Sequence, residues 1–66
     1  MYKTTAIRIS NYLNELDNIT GNATATFLDN SWGVLVKLRD GSMLWNSAID
    51  NRRLKAFRSA IKEVNA

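Results

Sequence analysis

The first part of the chain spaces its apolar residues as an α-helix does. Ile9, Leu13 and Leu16 follow one another at intervals of four and three, which places them along one side of a helix over about residues 4–17. The alternative is a short strand over residues 3–9 followed by a shorter helix. The spacing favours the single longer helix.

From residue 23 onward the apolar positions recur with a period of two, which indicates β-strands. On the first predicted strand, one face consists of Ala23, Ala25 and Phe27. On the second strand, which has the clearest pattern, it consists of Trp32, Val34, Val36 and Leu38. A third strand is predicted over residues 42–46, with Met43 and Trp45 on its apolar side.

Turn residues separate the predicted strands. Asp29, Asn30 and Ser31 predict a tight turn between the first and the second. Asp40 and Gly41 stand where a two-residue hairpin turn requires positive φ angles. The three strands are therefore expected to form an antiparallel meander.

Helical spacing returns in the C-terminal part of the chain. Its apolar residues follow one another at intervals of three, four and three: Leu54, Phe57, Ile61 and Val64. Ser47, with Asp50 three residues later, is typical of a capping box at a helix start. We therefore expect a second amphipathic helix.

The predicted element order is α-β-β-β-α, an α+β fold in one small domain of residues 1–66. The three-stranded antiparallel sheet carries the N-terminal and the C-terminal helix on one face. The residues expected to form the core are Ile9, Leu13, Leu16, Phe27, Trp32, Val34, Val36, Leu38, Trp45, Leu54, Phe57, Ile61 and Val64.

The composition argues against catalysis. The 66 residues include no cysteine and no histidine, so disulfides, thiolate nucleophiles, thiolate metal ligands and the commonest general base are excluded. The carboxylates lack the spacing of a calcium loop, and the three glycines are too scattered for a phosphate-binding loop. We expect no enzyme, no metal site and no cofactor.

The net charge of +3 is unevenly distributed. Residues 1–47 hold four basic and four acidic residues, whereas residues 48–66 hold five basic and two acidic ones. Those five candidates for contacts with nucleic-acid phosphates are Arg52, Arg53, Lys55, Arg58 and Lys62. The alternative is that they are only the solvated side of a surface helix.

A second candidate surface is the sheet face turned away from the helices. Alternation places Leu35, Lys37, Arg39 and Leu44 there. Lys37 and Arg39 are candidate nucleic-acid contacts, and Leu35 and Leu44 are candidates for a dimer or partner interface. The two tryptophans share the phase of the core valines, which favours the core over a role as stacking platforms.

The element order and the basic last helix resemble the double-stranded-RNA-binding domain. Residues 12–16 (YLNEL) look like the first-helix segment of that family, and Arg52, Arg53 and Lys55 are similar to its basic start of the last helix. The resemblance implies contacts with an RNA duplex. A sheet followed by a helix also resembles small DNA-binding modules that lay the sheet in a groove, with Lys37 and Arg39 as readers.

The sequence thus favours a small, non-enzymatic nucleic-acid-binding or regulatory protein. We expect it in the cytoplasm and without a membrane partner, because no apolar run reaches the roughly 18 residues that span a bilayer. DNA or RNA is the expected partner, and an acidic protein surface would suit the same charges. The alternative function is a protein-interaction module, such as an accessory or inhibitory phage or mobile-element factor that binds a larger host protein. A homodimer is a further alternative.

Overall fold

A computed structural model describes residues 1–16 and 22–65 of the chain, with the side chains of Leu16, Asn51 and Asn65 outside that description. Its elements are α1 (Lys3–Leu16), β1 (Ala23–Leu28), β2 (Ser31–Lys37), β3 (Met43–Asn46) and α2 (Asn51–Asn65). This order confirms the predicted α-β-β-β-α fold. The alternative strand over residues 3–9 is wrong, because those residues belong to α1.

The central strand β2 organises the sheet and the core. It pairs with β1 on one side and β3 on the other, both antiparallel. Val34 and Val36 are completely buried on its inner face, where they join Leu13 of α1 and Ile61 of α2. The rest of the buried cluster consists of Ala23, Leu38, Ile49 and Phe57, with Met1, Ile9, Leu44 and Leu54 packed against it.

The turn between β1 and β2 is the predicted tight turn. Its two central residues have positive φ angles, 52° at Asp29 and 59° at Asn30, and Leu28 pairs with Ser31 across it. These angles are those of a type I′ hairpin turn, whose twist matches that of the flanking strands. Asp and Asn tolerate this left-handed region better than most residues.

The connection between β2 and β3 differs from the prediction. Only Gly41 has a positive φ, of 90°; its N–H donates to the Leu38 carbonyl at 3.0 Å, and the Leu38 N–H donates to the Ser42 carbonyl at 2.8 Å. The loop therefore contains three residues, Arg39, Asp40 and Gly41, a type I turn closed by a glycine bulge. The expected two-residue turn at Asp40 and Gly41 is wrong.

The additional loop residue reverses the phase of β3, that is, which face of the sheet each of its side chains points to. A two-residue turn would pair Val36 with Trp45, whereas the observed register pairs Val36 with Leu44 and Leu35 with Trp45. Leu44 consequently packs against the core, and Trp45 lies on the open face of the sheet. The predicted positions of Trp45 in the core and of Leu44 on the open face are therefore both wrong.

Two other predicted core residues lie at the margins of the fold. Phe27 is 56% exposed, because it sits at the end of β1, where its ring packs beside Trp32 with 5.5 Å between ring centroids. Val64 is 44% exposed in the last turn of α2, beyond Ile61. The side chain of Leu16 lies outside the described residues.

Asn14 connects the end of α1 to the outer edge of β1. Its Nδ2 donates to the Ala23 carbonyl at 2.9 Å, and its Oδ1 accepts from the Ala23 N–H at 3.0 Å. Both Ala23 groups point away from β2, so the Asn14 amide occupies the place of a neighbouring strand's peptide group. One side chain thereby satisfies the donor and the acceptor of an edge residue.

We predict that Asn14→Ala lowers the free energy of unfolding by about 1–3 kcal/mol, because it leaves two part-buried backbone groups without their partner. Urea denaturation measures the change. Asn11→Ala, an exposed position on the same helix, is the matched control and should change stability by less than about 0.5 kcal/mol. Equal losses in both variants would contradict the role of the Asn14 amide.

Candidate nucleic-acid interface

The rotation of α2 is fixed by its apolar stripe and by the cap at its start. Phe57 and Ile61 are buried and Leu54 is partly buried against the core. Asp50 caps the helix: its Oδ1 accepts from the N–H groups of Arg52 at 3.0 Å and Arg53 at 2.9 Å. The helix therefore starts with Asp50 as its N-cap, and the expected start with Ser47 in that role is wrong.

Four cations lie on one flank of this helix, and we call them the basic ridge: Arg52, Lys55, Arg58 and Lys62. At about 100° per residue they fall within an arc of about 120°, next to the Leu54 position. Arg58 is half-buried beside the core stripe, and the other three are exposed. The basic ridge is therefore a surface feature of the folded chain.

Arg53 does not belong to the ridge. It lies on the opposite flank of α2, and its Nη1 donates to the Ala48 carbonyl at 3.3 Å. This contact ties the guanidinium to the segment before the helix. Of the five cations predicted from the sequence, Arg53 is thus the one that the helix geometry separates from the others.

Lys37 and Arg39 belong to the sheet and the loop that follows it, not to the ridge on α2. Lys37 pairs with Met43 and projects from the open face of the sheet, on the side opposite the two helices. Arg39 is exposed in the loop between β2 and β3, because β2 ends at Lys37. Its predicted place on the open face of the sheet is therefore wrong. The predicted nucleic-acid residues thus occupy two faces and a loop rather than one continuous surface.

The open face of the sheet follows from the strand register. Val34 and Val36 point inward, so the residues of β2 that alternate with them project outward together with their cross-strand partners. The outward set is Thr24, Thr26, Gly33, Leu35, Lys37, Met43 and Trp45. It combines one cation with apolar and hydroxyl groups and contains no carboxylate.

The Trp45 ring lies across Gly33. A Cβ atom built on Gly33 would stand 2.6 Å from Cη2 and 2.9 Å from Cζ2 of that ring, and 2.7 Å from the Asn46 carbonyl oxygen. An indole standing upright on the sheet would keep its outer edge far above the neighbouring strand. The ring is therefore tilted down over β2, and the missing side chain of Gly33 makes room for it.

We predict that Gly33→Ala lowers the free energy of unfolding by about 1–3 kcal/mol, because both the ring and a backbone carbonyl occupy the methyl position. Chemical denaturation of the variant measures this loss. Adding Trp45→Leu should restore only part of it, since the Asn46 carbonyl remains in place. A Gly33→Ala variant as stable as the parent would show that the ring does not pack there in solution.

A groove of about 530 Å³ lies between α1 and the start of α2. Ile9, Ile49 and Leu54 supply its apolar surface, and Arg8 and Asp50 supply charges of opposite sign. Both charged residues are exposed, one on α1 and the other at the start of α2. The groove could accept an apolar side chain, but its charges favour neither an anion nor a cation.

The hairpin end of the sheet carries a small aromatic cluster. The rings of Phe27 and Trp32 are tilted at 58° to each other, and the Lys3 Nζ lies 5.3 Å from the Trp32 ring centroid. This cation–π contact joins the start of α1 to β2. Trp32 is half-buried on the helix side, in keeping with its predicted phase.

Asp40 is the acidic neighbour of Arg39 in the loop between β2 and β3. Its Oδ1 accepts from the Ser42 hydroxyl at 2.5 Å and from the Ser42 N–H at 2.9 Å. These bonds stabilise the carboxylate and hold the pKa of Asp40 below its ordinary value, the hydroxyl contributing most. The stabilisation is present above the ordinary pKa and is lost as the pH falls through the lowered one.

We predict that Ser42→Ala raises the pKa of Asp40 toward its ordinary value, because the hydroxyl bond is removed while the N–H bond remains. The carboxyl carbon shift of Asp40, followed by NMR over an acid titration, measures this pKa. Ser42→Thr, which keeps a hydroxyl, is the control. An unchanged titration in the alanine variant would mean that the hydroxyl bond does not form in solution.

Within the described part of the chain, no cluster of three His, Cys, Asp or Glu side chains could hold a metal ion. None of the helices in the same residues is long and apolar enough to cross a membrane. No buried side-chain nitrogen or oxygen of these residues lacks a hydrogen-bond partner.

The chain matches no family model, no curated protein and no solved structure. The resemblance to the double-stranded-RNA-binding domain therefore rests on the element order, residues 12–16 and the basic last helix. The resemblance to DNA-binding modules that use a sheet rests on the sheet followed by a helix. The functional argument consequently depends on the surfaces themselves.

Proposed function

We propose that this chain is a small, non-enzymatic nucleic-acid-binding protein of the cytoplasm, and that the basic ridge of α2 contacts phosphates. The observation that carries the proposal is the alignment of four cations on one flank of a helix whose rotation is fixed by buried Phe57 and Ile61. A regulatory role is part of the same proposal.

The dimensions of the ridge suit a sugar-phosphate backbone. From residue 52 to residue 62 the helix rises about 15 Å at 1.5 Å per residue. One strand of duplex DNA presents a phosphate about every 3.4 Å along the helix axis while it winds around that axis, so the ridge is long enough to meet more than one phosphate. Arg52 and Lys55, both exposed, are the ridge residues best placed to meet phosphates without rearrangement of the core.

The carboxylates near α2 leave the ridge positive. Asp50 precedes the helix, and its Oδ1 is engaged with two backbone N–H groups at the N-terminus. Glu63 is the single acidic residue within α2, against five basic ones. A positive flank of this kind attracts polyanions, and the attraction falls as salt screens it.

We predict that Arg52→Gln combined with Lys55→Gln weakens binding to a short DNA or RNA duplex. For DNA, the negative slope of log K against log salt should become shallower by about 1.8, or about 0.9 for each phosphate that the variant no longer neutralises. Fluorescence anisotropy between about 50 and 200 mM salt measures affinity and slope. Arg53→Gln is the matched control, because it removes the same kind of charge from the opposite flank and should leave the slope nearly unchanged.

Two results would overturn the proposal. The first is an absence of binding to any nucleic acid at about 50 mM salt, where phosphate contacts are strong. The second is a loss in the Arg53 variant about half that of the Arg52/Lys55 variant, which would reflect the one charge removed against two rather than a defined surface. Far-UV circular dichroism of each variant confirms that the fold is retained.

A protein-interaction module is the second candidate, and the exposed apolar residues at the hairpin end of the molecule favour it. Tyr2 is 83% exposed, Phe27 56% and Leu28 44%. Exposed aromatic residues near a half-buried partner, here Trp32, are typical of protein contacts. Binding to an acidic protein surface, or self-association as a homodimer, would be the function if the nucleic-acid titrations fail.

A further inference from the structure

The proposal for α2 gives no function to the open face of the sheet. Both helices pack on the inner face, and no other described element covers the outer one. Leu35 and Trp45, a cross-strand pair, are half-buried there, and Met43 beside them is 58% exposed. This face therefore presents an aromatic ring and apolar side chains to whatever approaches it.

We propose that this face binds a single strand of nucleic acid, with a base stacked on the Trp45 indole and a phosphate at Lys37. The proposal goes beyond the ridge on α2 and rests on the proposed function only for the class of ligand. It names a second surface and a single-stranded substrate.

The tilt of the indole is the first argument. Because Cη2 and Cζ2 reach the space above Gly33, the ring extends from β3 over β2. A ring laid over a sheet can present its π face outward, which is the surface that a base stacks on. A residue with a side chain at position 33 would lift the ring and remove the platform.

Charge complementarity is the second argument. Lys37 is exposed on the same face, where its pair with Met43 is the next outward-facing pair after that of Leu35 and Trp45. The strands contribute no carboxylate. The hydroxyls of Thr24 and Thr26 lie on the neighbouring strand. A cation and hydroxyls around an aromatic ring suit a ligand that combines phosphates with flat bases.

The third argument separates a single strand from the other occupants. Bases inside a duplex are already stacked on each other, so a platform of this kind requires unpaired bases. A second copy of the chain, packed face to face, would bury Lys37 without a carboxylate from the facing strands, which is unfavourable. The face therefore matches a single strand better than a duplex or its own copy.

The experiment uses a Trp32→Phe variant, in which Trp45 is the only tryptophan. Titration with an oligothymidine or oligouridine of about 12 nucleotides should quench the Trp45 fluorescence. In the otherwise unchanged chain, Trp45→Leu should lower the affinity for these strands about tenfold by anisotropy, the scale of a single base stack. Trp32→Phe is the control and should leave the affinity unchanged.

Lys37→Gln provides a second variant at an exposed position, where the fold is not at risk. It should reduce the salt slope for single strands by about 0.7, the value for one neutralised phosphate. Arg52→Gln with Lys55→Gln should leave the Trp45 quenching in place, because the ridge lies on the other side of the molecule. Weakened duplex binding in that variant, with the quenching retained, identifies two separate surfaces.

Three outcomes would overturn the proposal: no quenching of Trp45 by single strands, unchanged affinity in both the Trp45 and Lys37 variants, or a dimer that Trp45→Leu converts to a monomer. Failure of the ridge proposal is recognised separately, because it would appear as duplex binding that is insensitive to Arg52 and Lys55. Each proposal can therefore fail while the other stands.

Discussion

The burial of Val34 and Val36 is the constraint on which the rest of the structure depends. Both belong to the central strand, and both belong to the buried cluster that contains Leu13 of α1 and Ile61 of α2. In a chain of 66 residues a single core of this size supplies most of the stability. The two valines also determine the outer face, because the residues of β2 that alternate with them must point the other way.

The sequence pattern was sufficient to predict the helices and strands and their order along the chain. The spacing of Ile9 and Leu13 in α1, and of Phe57 and Ile61 in α2, is set by which side of each helix is buried. The alternation along β2 is set in the same way. These predictions succeeded because the buried face of each element involves several residues, and all of them indicate the same face.

The phase of β3 could not be read in this way, because it depends on one residue in a loop. Asp40 and Gly41 suggest a two-residue turn, yet Gly41 instead closes a three-residue loop, and Leu44 rather than Trp45 faces inward. Hydrophobicity did not decide between the two phases, since both residues are apolar. The tilted indole on the open face was missed for the same reason, because its position follows from that phase.

Small buried residues of α1 also escaped the sequence pattern. Ala6 and Ser10 lie one turn apart and let the helix approach its neighbours closely, and the Ser10 hydroxyl donates to the Ala6 carbonyl at 2.8 Å. Neither residue is hydrophobic enough to mark a buried face. Of the candidate site, the cations of α2 were predictable from the sequence, and the spacing of about 100° per residue is sufficient to separate Arg53 from the other four.

The contact between Asn14 and Ala23 also bears on how the molecule behaves among copies of itself. Edge strands offer unpaired backbone groups to strands of other molecules, which is a route to aggregation. At Ala23 an incoming strand would first have to displace an amide that already makes both hydrogen bonds. The end of α1 thus protects the edge of the sheet from pairing with another strand. A chain without the Asn14 amide would lose this barrier to fibrous association as well as a tertiary contact.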